Sequence, residues 1–188
     1  RNAEAYRKIR NTLRFLLANL ADFDPSTDRV PEERITGLDA YLLRRGRALA
    51  EQVTRAYTDY DLSLIYHKTL NFCTVELSSL YLDVLKDRLY CDHPEAPARR
   101  ASQTVIFQLA ESLATLLAPV TSFTCDEVWE HLPGEREPSV HLARFHTLET
   151  VEPDEAGDER WARLLALREL VLSRLELLRR EGTIGKAL

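Results

Sequence analysis

The sequence has little glycine or proline and lacks methionine altogether. Its six glycines and eight prolines gather near the ends of periodic segments, and none of them occurs between Arg47 and His93. Because both residue types interrupt helices, this long uninterrupted stretch excludes a β-rich fold and predicts an all-α helical bundle of about five to six helices. No apolar run approaches the roughly 18 residues of a transmembrane helix, so no membrane partner is expected.

Cysteine is also scarce, and its spacing excludes two further classes of protein. Cys73, Cys91 and Cys125 form no close pair, so neither a disulfide framework nor a zinc knuckle is expected. Reduced thiols are typical of a cytoplasmic protein. The histidines are scattered, and no Glu-x-x-His pair is present that would build a di-metal site in a bundle. We therefore predict no metal ligand, and a metalloenzyme bundle is disfavoured.

Sequence motifs for catalysis are missing as well. The chain has no glycine-rich phosphate loop and no Gly-x-Ser-x-Gly elbow, so we expect no catalytic residue and no cofactor within it. It begins with Arg1 and contains no methionine. Both features are typical of a piece of a longer polypeptide.

Apolar residues that recur every three or four positions predict the helices. The expected helices cover residues 3–20, 38–58, 61–90, 99–117, 124–132 and 158–180. In the third, Asp61 is the expected N-cap, and a break is expected near Cys73–Val75. Thr124 and Glu127 have the spacing of a capping box, and an extended segment is expected around residues 139–145. We expect one bundle over residues 1–150, then an acidic linker and a helix over 151–188.

Positive charge is concentrated on one edge of the first helix. The formal net charge of −5 counts against a nucleic-acid partner, since phosphate binding leaves a basic footprint. An acidic chain can still carry a basic face. Arg7, Arg10, Asn11 and Arg14 share an arc beside the apolar stripe. They form either a solvated face paired with nearby acids or a contact to phosphate or a neighbouring domain.

The polar residues within 60–90 also have two interpretations. Asn71 either caps a kink or hydrogen-bonds the edge of a base. Lys86 and Arg88 alternate with Asp83 and Asp87 at spacings of three and four residues. That spacing favours internal salt bridges, while contact with RNA stays open.

Several segments resemble the anticodon-binding helical domain of class I aminoacyl-tRNA synthetases, and within that class the isoleucyl branch. They are residues 5–15, Asn71-Phe72-Cys73, Leu77-Ser78-Ser79, residues 81–90, Leu116-Leu117-Ala118-Pro119, Asp126-Glu127-Val128-Trp129 and Ser139-Val140-His141-Leu142. Their collinear order covers nearly the whole chain. One departure is Asp39-Ala40-Tyr41, which stands where the family usually has Asp, a basic residue and Trp.

The resemblance implies that the parent enzyme joins isoleucine to its tRNA in the cytoplasm, using ATP and Mg²⁺. This piece would bind the anticodon stem-loop beside the parent's catalytic and C-terminal domains. The candidate residues for contacts to tRNA or to a domain junction are Arg7, Arg10, Asn11, Arg14, Asn71, Lys86 and Arg88. Two alternatives stay open: the same domain of a valyl-tRNA synthetase, and a helical module that binds protein rather than RNA.

Overall fold

The structure is a computed structural model that describes residues 2–146, 148 and 152–185. Every regular element among those residues is helical, which confirms the all-α prediction. The chain divides into two compact units, Arg1–Val151 and Glu152–Leu188. None of the helices in the described ranges is long and apolar enough to cross a membrane.

The helices of the first unit follow one another along the chain. They are α1 (Asn2–Ala18), α2 (Gly37–Thr58), α3 (Leu62–Asn71), α4 (Leu82–Val84), α5 (Lys86–Cys91), α6 (Pro97–Leu117) and α7 (Ser122–His131). A π-helical segment, Phe72–Tyr81, lies between α3 and α4, and short 3₁₀ turns cover Glu32–Arg34 and Val140–Leu142. We refer to Phe72–Tyr81 as the π segment.

Helix α6 runs through the centre of this bundle. From Arg100 to Leu117 every residue except Glu111 is buried, and α6 packs against α1, α2, α5 and α7. A helix that is enclosed on all sides must satisfy its polar side chains internally. Gln103 does so by donating to the Asn19 carbonyl at 2.9 Å and to the Asp22 carboxylate at 2.8 Å. These bonds fix the end of α1 against α6.

The expected break in the third helix takes the form of a π-helix. Asp61 caps α3 as predicted, since its carboxylate accepts the backbone N–H of Leu64 at 2.9 Å. The α-helical pattern continues to Asn71, and the π segment follows directly. The prediction of a break near Cys73–Val75 is therefore confirmed in position, whereas its π-helical form was not predicted.

Two local predictions were wrong. Thr124 and Glu127 form no capping box, because α7 begins two residues before Thr124 and has no side-chain cap bond. The Thr124 hydroxyl instead pairs with the Tyr6 hydroxyl of α1 at 2.8 Å. The expected extended segment is the 3₁₀ turn Val140–Leu142. Its first backbone N–H donates to the Asp126 carboxylate at 3.0 Å, which holds the turn against α7.

The regular structure of the second unit is helix α8, Glu155–Arg180. It begins three residues earlier than predicted, with Asp154 as N-cap accepting the Gly157 N–H at 2.8 Å. It ends at Arg180, and the predicted stop, Gly182, follows two residues later. Gly182 adopts a φ of 74° and its N–H donates to the Arg179 carbonyl at 3.1 Å, as expected where a helix stops at a left-handed residue. None of the residues of α8 is buried.

Candidate nucleic-acid interface

The polar face of α1 presents three exposed residues in a row. Arg7, Asn11 and Arg14 are spaced by four and three residues, so they share one side of the helix, and all three are exposed. The Arg7 Nε donates to the Ala3 carbonyl at 3.2 Å, a bond within its own helix. Across the part of the chain that the structure describes, neither guanidinium forms an ion pair with a carboxylate. We call these three residues the basic ridge.

Arg10 belongs to the same predicted group, but a carboxylate already occupies its guanidinium. Its Nη2 donates to both carboxylate oxygens of Glu127 on α7, at 3.0 and 2.9 Å. This hydrogen bond raises the pKa of Arg10 and connects α1 to α7. The two side chains are 41% and 55% exposed, so the pair contributes little to stability. Arg10 thus offers a phosphate less net charge than the basic ridge does.

Lys86 and Asn71 are both exposed, yet they differ in their partners. The Lys86 Nζ lies 2.8 Å from the Asp83 carboxylate, and this hydrogen bond raises the pKa of the lysine. The salt bridge favoured by the sequence spacing is therefore present. Asn71 has helical backbone angles (φ −61°, ψ −47°) and makes no side-chain capping bond, so the structure gives it no capping role. Its contact with a base stays a prediction.

Arg88 lies in a polar cluster inside the bundle. Its Nη1 donates to Asp39 Oδ2 and to Ser102 Oγ, both at 2.8 Å. The Tyr81 hydroxyl donates to Asp39 Oδ1 at 2.5 Å, and Ser102 Oγ donates to that same oxygen at 3.0 Å. Burial, together with the neighbouring carboxylate, raises the pKa of Tyr81. This Asp39 cluster joins α2, the π segment, α5 and α6, so Arg88 holds the fold together.

The partner of Arg88 was therefore predicted wrongly. The sequence spacing favoured a local aspartate, but Arg88 pairs with Asp39, which lies 49 residues away. The available signal was the segment Asp39-Ala40-Tyr41, in which the resemblance leads one to expect an acidic residue.

The described ranges also contain no group of three or more metal-ligating side chains that could hold an ion.

Two grooves flank the basic ridge. The first lies between α1 and the π segment and has a volume of about 570 Å³. The second lies between α1 and α7 and has a volume of about 420 Å³. Lys8 and Lys86 line the first groove, whereas Arg10 and Glu127 line the second. Asn11 of the ridge also lines the first groove, and Arg14 lines the second, so the ridge borders both grooves on an exposed face that a polyanion can reach.

Known proteins resemble the chain along its whole length. A family model described as the anticodon-binding domain of tRNA ligase matches residues 39–188, a range that begins after the basic ridge. The isoleucine–tRNA ligases of Geobacter sulfurreducens and Syntrophotalea carbinolica are 50% and 47% identical over 188 residues, 100% of this chain. That of Moorella thermoacetica is 46% identical over 187 residues, 98% of this chain.

Each of these alignments covers 20% of the relative, so the chain spans about a fifth of the length of the curated relatives it matches. The family model itself matches most of the chain. The chain therefore belongs to the family of anticodon-binding domains of tRNA ligases, and it is similar to the isoleucine–tRNA ligases in particular.

Proposed function

We propose that the chain binds the anticodon stem-loop of an isoleucine tRNA. The family description names an anticodon-binding domain, and the relatives described above are isoleucine–tRNA ligases. Within this chain, one observation carries the proposal. Arg7 and Arg14 are exposed on the same side of α1, and among the described residues no carboxylate neutralises them.

The spacing of these two arginines suits a nucleic-acid backbone. Seven residues of α-helix separate Arg7 from Arg14 by about 10 Å along the axis, so the two groups reach different phosphates. Each guanidinium can donate two parallel hydrogen bonds to phosphate oxygens. Double-helical RNA is recognised chiefly through its phosphates and 2′-hydroxyls. A pair of forked cations on one exposed helix face fits that mode of recognition.

The overall charge limits the affinity. The net charge of −5 repels a polyanion at long range, while the ridge attracts it at contact distance. We therefore expect the chain alone to bind the stem-loop weakly and with a clear dependence on salt. Other domains of a longer polypeptide would supply the remaining affinity.

We further propose that the chain acts as one part of an isoleucine–tRNA ligase in the cytoplasm. The relatives that carry that name are about five times as long as this chain. The parent would join isoleucine to its tRNA using ATP and Mg²⁺, and its catalytic and C-terminal domains would lie in the other parts of the polypeptide. This chain would position the tRNA, and we assign none of its residues a catalytic role.

A gel-shift titration of the 188-residue chain with a labelled isoleucine anticodon stem-loop tests the proposal. We expect unlabelled isoleucine stem-loop to compete better than valine or unrelated stem-loops. The double variant R7A/R14A should bind more weakly, whereas R55A, an exposed arginine of α2, should bind as the wild type does. Equal competition by all stem-loops would mean that the chain binds RNA without preference for the isoleucine stem-loop. No shift even at low salt would refute the proposal.

The exposed apolar side chains of α8 favour a second candidate function. Leu167 and Leu170 are 57% and 71% exposed, and apolar residues of this kind commonly face a protein surface. In that case the chain would dock onto another protein domain. The same titration separates the two functions, since a protein-docking module would give no shift with RNA.

A further inference from the structure

Five neutral polar residues line the groove between α1 and the π segment, together with three charged and two apolar ones. The neutral polar residues are Asn11, Thr12, Thr74, Ser78 and Ser79, and the apolar ones are Phe15 and Leu82. Its volume of about 570 Å³ falls within the range of roughly 300–1,000 Å³ that is typical of ligand pockets. Because the groove borders the basic ridge, a strand bound along the ridge would also pass over these groups.

The π-helical geometry places its hydroxyls on one surface. In an α-helix, residues five apart point about 140° away from each other. In a π-helix they lie on the same side, because the backbone bonds run from residue i to residue i+5 and each turn is wider. Thr74 and Ser79 are five residues apart and both line the groove. Thr74 and Ser78 are four residues apart and would share a face in an α-helix as well, so the π geometry adds Ser79 to this polar wall.

Hydrogen bonds from α1 fix that wall in place. The Thr12 hydroxyl lies 3.0 Å from the Ser78 hydroxyl and 3.3 Å from the Cys73 carbonyl. Ser78 Oγ donates to the same carbonyl at 2.8 Å. Thr12 is only 3% exposed, so water competes little with these bonds. A wall held in this way loses little conformational entropy when a ligand binds.

The charged groups at the groove already have partners. Lys8 lies 3.2 Å from Glu4, and Lys86 lies 2.8 Å from Asp83. Asp83 itself lines the groove and would repel an isolated phosphate. The hydroxyls of Thr12, Thr74 and Ser78 also bond within the fold and shape the groove. A ligand would meet neutral side chains at its edge, such as the Asn11 amide, which is the chemistry that recognises hydroxyls.

We propose that this groove holds the ribose edge of an RNA strand whose phosphates lie along the basic ridge. The inference rests on the proposed function. It adds where the RNA strand lies and names the 2′-hydroxyl as the group that distinguishes RNA from DNA at this site. The Asn11 amide and the Ser79 hydroxyl can each donate and accept, as can a ribose 2′-hydroxyl. Asn11 also stands between Arg7 and Arg14 on α1, so contacts to ribose and to phosphate fall on one strand.

A double-mutant cycle with modified RNA tests this inference. Anticodon stem-loops that carry single 2′-deoxy substitutions, scanned along the strand, are titrated against the wild-type chain and against N11A/S79A. We expect one or two substitutions to weaken wild-type binding about tenfold, the value of one or two hydrogen bonds. N11A/S79A should bind the unmodified stem-loop about tenfold more weakly and should be insensitive to those same substitutions.

The matched control is Q52A/T54A, which removes an amide and a hydroxyl from exposed positions of α2. This variant should keep the wild-type pattern of sensitivity. N11A/S79A leaves the bonds between Thr12 and Ser78 intact, so circular dichroism should show a folded protein. The single variant N11A repeats the test if the double variant unfolds.

The possible failures can be told apart. If N11A/S79A keeps the wild-type sensitivity to 2′-deoxy substitution, or if the wild type is insensitive at every position, the groove is not the ribose site, and the proposed function survives. If the wild type binds no stem-loop, the proposed function fails and this inference fails with it.

Discussion

Replacing Asp39 with asparagine is expected to lower the free energy of unfolding by about 2–3 kcal/mol. The Asp39 carboxylate accepts from Arg88 at 2.8 Å, from Tyr81 at 2.5 Å and from Ser102 at 3.0 Å. Its side chain is 7% exposed, so water would replace few of the lost bonds, whereas Arg88 is 35% exposed and would regain part of its hydration. Asparagine keeps the shape but loses the charge and one acceptor oxygen, so its N–H₂ faces either the guanidinium of Arg88 or the hydroxyls that donated to the carboxylate.

Urea unfolding followed by circular dichroism measures this loss as a lower midpoint at an unchanged slope. For a chain of this size, each kcal/mol corresponds to about 2–4 °C in Tm, so thermal unfolding should fall by about 4–12 °C. The control is R163A, which removes an ion pair with Glu159 whose side chains are 82% and 70% exposed and should cost below about 1 kcal/mol. A D39N chain within about 0.5 kcal/mol of the wild type would refute the reasoning.

Two further predictions follow from ion pairs at the surface. E127Q should release Arg10 from its bidentate pair with Glu127. The slope of log affinity against log salt for stem-loop binding should then steepen by about 0.8, the amount that one phosphate contact contributes. An unchanged slope in filter binding would show that Arg10 stays away from RNA. The hydrogen bond from Arg99 holds the pKa of Asp22 below its ordinary value. The ionised Asp22 therefore stabilises the fold above about pH 4, and this stability is lost as pH falls through the pKa of Asp22 in the folded protein. D22N should therefore destabilise the chain at pH 7, and its difference from the wild type should shrink as pH falls below about 4. An equal difference at pH 7 and at low pH in urea unfolding would contradict this assignment.

The long helices could be predicted from the sequence because their signals are local. The apolar period of α1, the N-cap Asp61 and the stop at Gly182 each involve residues within a few positions of one another. The π segment, by contrast, also contacts a residue that is distant in the sequence. Thr12 lies 61 residues from Cys73, whose carbonyl it approaches at 3.3 Å. The sequence could therefore place the break, but it could not give its geometry.

The same distinction separates the candidate site residues. The partner of Lys86 is three residues away, so the spacing indicated the pair. Arg10 and Arg14 stand on the same helix with the same chemistry, yet only Arg10 meets Glu127, which lies 117 residues along the chain. Tertiary packing alone decides which arginines are left for a ligand. The sequence therefore predicted the basic edge as a group and could not rank its members.

The salt dependence of stem-loop binding tests most directly whether the basic ridge meets an RNA backbone. Two phosphate contacts account for a slope of about 1.5 in a plot of log affinity against log salt. R7A/R14A should flatten the slope by about that amount, and R55A should leave it unchanged. A slope that is the same in R7A/R14A as in the wild type would contradict the account. The two arginines that pair with no carboxylate among the described residues would then make no contact with phosphate.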